Sequence, residues 1–154
     1  MKRTLFLRTL VCLVCLLGIS TTFQSCKEKK SFALQYIVEA DSYSPATSEA
    51  ESIAEAIVKV QKAEGLLNKT FMESMDGEGT DTERDALDKQ AAKNASMRLG
   101  EIDYINAIKK AGITQTTLSK ITIYYSFGYP ANESATTVTH EVAPIVMEYD
   151  LSGF

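Results

Sequence analysis

The chain has 154 residues, with 16 lysines and arginines against 20 aspartates and glutamates, for a formal net charge of −4. The acidic balance and the absence of a clustered basic face argue against nucleic acid as a partner. The three cysteines all fall within the first 26 residues, so the rest of the chain has neither a disulfide framework nor a cysteine metal ligand.

The N-terminus is basic at Lys2, Arg3 and Arg8 and continues into the apolar run "TLVCLVCLLGI". That run is about half the roughly 20 residues a membrane-spanning helix needs. A basic segment followed by a short apolar one has the form of a secretory signal. Cys12 and Cys15 spell C-x-x-C, but they lie inside the apolar run and leave with it. No A-x-A cleavage pattern follows; instead "FQSC" places Ser25 before Cys26. This ending resembles the relaxed lipobox of Bacteroidota lipoproteins, with Phe23 and Gln24 departing from the usual leucine and small residue.

The resemblance implies cleavage before Cys26, acylation of that cysteine, and a membrane partner reached through the lipid. It also implies the outer membrane, because Lys27 is not the aspartate that marks inner-membrane retention. The basic "KEKK" after the cysteine leans towards the periplasmic side rather than the cell surface. Residues 1–25 are thus read as a lipoprotein signal, 26–31 as a lipidated tether and 32–154 as one domain. The leader takes three basic residues and no acidic ones. The remaining 129 residues therefore carry thirteen basic against twenty acidic side chains, net −7. That length is enough for a single domain with its own core.

In "FALQYIVEA", Phe32, Leu34, Tyr36 and Val38 alternate with Ala33, Gln35, Ile37 and Glu39, which predicts a strand. Pro45, then Ser48 with Glu51 in a capping-box pattern, predict a helix start. Ile53, Ile57, Val60, Leu67 and Phe71 at three- and four-residue steps extend the expected helix to Phe71, with Gly65 as a weak point inside it. "DGEGT" is read as the linker to a second helix over residues 81–110. Thr80 and Glu83 cap that helix, and Gly100 bends or splits it. "SKITIYYSFGY" alternates again, with Ile121, Ile123, Tyr125, Phe127 and Tyr129 on one side and Thr122, Tyr124 and Ser126 on the other. "TVTHEVAPIVMEY" is the last strand, at an edge or bulged near Pro144, which cannot donate to a ladder.

The expected fold is α+β, in the order β-α-α-β-β: a three-stranded, largely antiparallel sheet with an α-helical hairpin on one face.

His140-Glu141 opens like H-E-x-x-H, but the fifth residue is Pro144 and the chain has one histidine. A zinc protease needs two histidines one helical turn apart. Residues 76–85 are dense in carboxylates. Counted as a calcium loop from Asp76, the sixth and twelfth positions hold Asp81 and Leu87 rather than glycine and glutamate. Gly77-Glu78-Gly79 lacks the lysine and third glycine of a phosphate loop. Three matches to the glycosylation sequon, at Asn68, Asn94 and Asn132, are read as chance.

No catalytic residue, metal ligand or cofactor is assigned. The expected function is a tethered, non-enzymatic binding or assembly module. A protein partner or second copy would dock on the open sheet face at Gln35, Ile37, Thr122, Tyr124 and Thr139. The alternative is a small envelope hydrolase or lyase using His140, Glu141 and a tyrosine.

Overall fold

The structure, a computed structural model, describes residues 29–68, 71–132 and 134–154. Its elements are β1 (Lys30–Ser44), α1 (Ser48–Ala63), β2 (Glu73–Gly79), α2 (Asp81–Gly100), α3 (Tyr104–Lys110), β3 (Lys120–Pro130) and β4 (Val138–Asp150). The expected α+β class and antiparallel sheet are present. The strand count is corrected: among the described residues the sheet has four strands in the order β2-β1-β3-β4, and there are three helices rather than a two-helix hairpin.

β1 is long because it serves two ladders. Lys30 to Tyr36 pair with β2, and Ile37 to Ser44 pair with β3. The core face follows the predicted period of two. Leu34, Tyr36 and Val38 of β1 meet Ile121, Ile123, Tyr125 and Phe127 of β3, with Ile145 and Tyr149 of β4 beside them. The helices cover this face with Ala50, Ile53 and Ile57 from α1, Ala91, Ala95 and Leu99 from α2, and Ile108 from α3.

Two ends of the predicted helices differ. α1 is capped by Thr47, whose hydroxyl accepts the Ala50 N–H at 3.2 Å, so Ser48 is the first helical residue rather than the cap. α1 then stops at Ala63, eight residues before Phe71. Gly65 takes φ 76°, its N–H donates to the Lys62 carbonyl at 3.1 Å, and the Leu66 N–H donates to that of Gln61 at 2.8 Å. This is a Schellman ending, which glycine permits because it has no Cβ to clash at positive φ. Leu67 and Phe71 are still fully buried, but from the connection to β2.

"DGEGT" is the larger correction. Its residues Asp76 to Gly79 are strand, not linker, and pair residue by residue with the start of β1, with Phe32 opposite Gly77, while Thr80 is the N-cap of α2. A Cβ on Gly77 would lie 2.6 Å from the Phe32 ring and 3.0 Å from Leu87, so the glycine makes room for that ring. Asp76 and Glu78 project from one face of an extended strand and do not curl around a common point. At the start of α2 the Glu83 carboxylate accepts the Thr80 N–H, as the capping pattern predicts. The expected helix over 81–110 divides after Gly100. Asp103 restarts it by accepting the Asn106 N–H at 3.0 Å.

β4 is an edge strand, and Val142 is an extra residue in its ladder: Phe127 faces Ala143 while Gly128 faces Glu141. No described helix is long and apolar enough to cross a membrane.

Candidate functional site

The sheet face turned away from the helices carries the residues singled out in the sequence, but not as one patch. Ile37 is 0% exposed and Thr122 is buried, whereas Tyr124 is 40% exposed and Thr139 is exposed. Gln35 is half-buried. Ile37 faces Gly128, while Tyr124 faces Ser42 beyond the bulge at Asp41. Four residues of β3 therefore separate Tyr124 from the position opposite Ile37, about 13 Å along the strand. Ile37 and Tyr124 are therefore not cross-strand neighbours.

Two hydrogen bonds tie the end of the β3–β4 connection to β1 and to the segment that follows α1. Glu39 accepts the Val138 N–H at 3.1 Å, and the Asn68 amide donates to the Thr136 carbonyl at 2.8 Å.

The neighbour that Tyr124 does have is Val146, directly across on β4 and 53% exposed. Sequence reasoning passed over Val146. Its alternation with Ile145 and Met147 placed it on the open face, but only the register shows which tyrosine it meets.

The surroundings of this pair are acidic. The Ser126 hydroxyl lies 2.6 Å from Asp41 Oδ2 and 2.7 Å from Glu141 Oε2. One hydroxyl proton serves one carboxylate at a time. Glu148, opposite Thr122, is bonded to Lys120 at 2.9 Å.

The alternative site, around His140, is a shallow depression of about 320 Å³. His140 stacks on Tyr129 with centroids 5.7 Å apart, Tyr129 on Tyr36 at 5.3 Å, and Tyr36 on Phe127 at 5.0 Å. This ladder of four rings runs from the core to the surface. Asp88 of α2 closes it by accepting from both tyrosine hydroxyls, at 2.7 Å from Tyr36 and at a short distance from Tyr129. The Arg84 guanidinium lies 5.3 Å from the Tyr129 ring centre.

Burial first, then the Asp88 carboxylate, pushes both tyrosines above their ordinary range. At neutral pH they are hydrogen-bond donors and not bases. His140 and Glu141 both line this depression, but their contacts diverge: His140 lies on Tyr129, while Glu141 accepts from Ser126. A nucleophile-and-base pair needs mutual hydrogen-bond reach, and the hydroxyls of Tyr36 and Tyr129 are both engaged by Asp88.

Cys26 and the signal lie outside the described residues, and the described residues contain no cluster of three metal-ligating side chains. Comparison with protein-family models, with curated proteins and with solved structures finds no match to this chain.

Proposed function

We propose that the chain is a lipid-anchored envelope protein, tethered through Cys26 to the periplasmic side of the outer membrane, whose domain binds a protein partner rather than catalysing a reaction. The observation that carries the reading is the exposed cross-strand pair Tyr124–Val146 on a face that also carries Thr122, Ser126, Asp41, Glu141 and Glu148. Aromatic and aliphatic side chains side by side concentrate contact energy. The carboxylates around them suit a partner with a basic rim.

The contact is tested with Tyr124→Ser and Val146→Ser together in the full chain. Folding stability should stay within about 0.5 kcal/mol of wild type, as for surface substitutions, while the envelope complex recovered by crosslinking is lost. An unchanged complex would remove this face from the reading. The anchor is tested separately: Cys26→Ala should move the protein out of the detergent phase.

A further inference from the structure

A second surface lies at the other edge of the sheet. β2 ends the strand order, so no described strand pairs with its outer side. Alternate residues of β2 therefore point backbone N–H and C=O groups outward, as a template for another strand.

Beside this edge runs a groove of about 490 Å³ between the start of β2 and the last turns of α2. This volume lies within the range of sites that hold small ligands. Met72 on the strand side is 40% exposed and Met97 on the helix side is 51% exposed. They are flexible apolar side chains of the kind that adapt to varied partners. Between them Glu73 accepts from the Asn94 amide at 2.9 Å through Oε1, while its Oε2 is buried with no donor. The one cation in the groove wall, Arg98, lies over the Phe71 ring at 5.3 Å.

The charge decides the occupant. The seven residues of β2 include Glu73, Asp76 and Glu78 and no cation, and Glu101 lines the groove. Antiparallel pairing of two β2 edges would set these carboxylates against one another, which disfavours a second copy. A lysine- or arginine-bearing strand is complementary. The geometry points to a peptide-recognition site in which an extended basic segment of a partner adds to the outer edge of β2. Its apolar residues would pack between Met72 and Met97, and a cationic side chain would give Glu73 Oε2 the donor it lacks. In such strand addition the main chain supplies affinity and alternate side chains supply specificity.

The test is a titration of the full chain in detergent with a fluorescein-labelled octapeptide of alternating lysine and valine, read by anisotropy. The expected result is saturable binding. It should weaken by at least about tenfold on Met97→Lys, and likewise when alternate backbone nitrogens of the peptide are methylated. The same peptide with glutamate for lysine should not bind, and Tyr124→Ser should leave binding unchanged. Met97 is exposed, so unaltered melting of Met97→Lys checks that the fold is intact. Equal binding of the methylated or the glutamate peptide would overturn the proposal, as would sensitivity to Tyr124→Ser in place of Met97→Lys. Absence of binding by the lysine peptide would also overturn it. Failure here leaves the Tyr124–Val146 reading standing, because the two surfaces share no residue.

Discussion

Gln61 is the buried polar residue on which most of the interior bonding converges. Its amide nitrogen donates to the Tyr149 hydroxyl at 2.8 Å, and its oxygen accepts from Tyr125 at 2.9 Å; the two hydroxyls are 3.3 Å apart. In Gln61→Leu each tyrosine would keep only the other. The expected loss is about 1–3 kcal/mol, the cost of leaving buried polar groups unsatisfied, measured by urea unfolding. Burial, with Tyr149 beside it, pushes the Tyr125 hydroxyl well above its ordinary value. The folded state therefore favours the neutral form. Its contribution is complete below the unfolded value of about 10 and declines as pH rises beyond it. Alkaline unfolding should be less steep in Tyr125→Phe.

Glu49 behaves in the opposite sense. The Thr116 hydroxyl, then the Thr117 hydroxyl and N–H, hold its carboxylate below the ordinary range. This clasp is present above the unfolded carboxylate value and is lost as pH falls through the lowered one. Glu49→Gln should reduce the drop in melting temperature on acidification.

At the scale of elements, β2 shows how a segment with poor strand propensity becomes strand. Glycine and aspartate are depleted in strands, and "SMDGEG" offers no alternating apolar signal. Its pairing with β1 and the fit of Phe32 over Gly77 override that propensity. Gly77→Ala should push Phe32 aside and loosen this ladder alone. Amide exchange should quicken from Glu73 to Gly79 while the β3–β4 ladder keeps its protection. The end of α1 has a matching test. Gly65 occupies φ 76°, where an L-residue costs roughly 1–2 kcal/mol. Gly65→Ala should therefore destabilise, whereas a glycine inside a helix would have been improved by the same change.

For the whole molecule, the distribution of charge matters more than its sum. Glu39, Asp41, Glu141 and Glu148 lie on or reach towards the face that carries Tyr124, and Lys120 is engaged by Glu148. A basic-rimmed partner would be steered by this field. Its association rate should therefore fall several-fold between low and physiological salt, because charges beyond about 8–10 Å are then screened. Dissociation, set by the Tyr124–Val146 contact, should change much less. Stopped-flow measurement at two ionic strengths separates the two. A salt-independent association rate would assign recognition to the apolar pair alone.

Local pattern determined the elements that have a continuous core on one side. Period two in β1 and β3 named most of the residues they bury. The Thr80–Glu83 pattern placed the start of α2, and Pro144 marked β4 as an edge or bulged strand. These are short-range statements, since the side chain and the neighbours that decide it lie within a few residues. Tertiary structure decided the rest. Ile37 is buried although it alternates out of phase with the core residues Tyr36 and Val38. Tyr124 meets Val146 through the β3–β4 register, which a bulge at Val142 shifts by one residue. Gln61 is interior because two tyrosines from different strands converge on α1. Register and loop closure depend on contacts between distant segments, and hydrophobic periodicity carries no record of them.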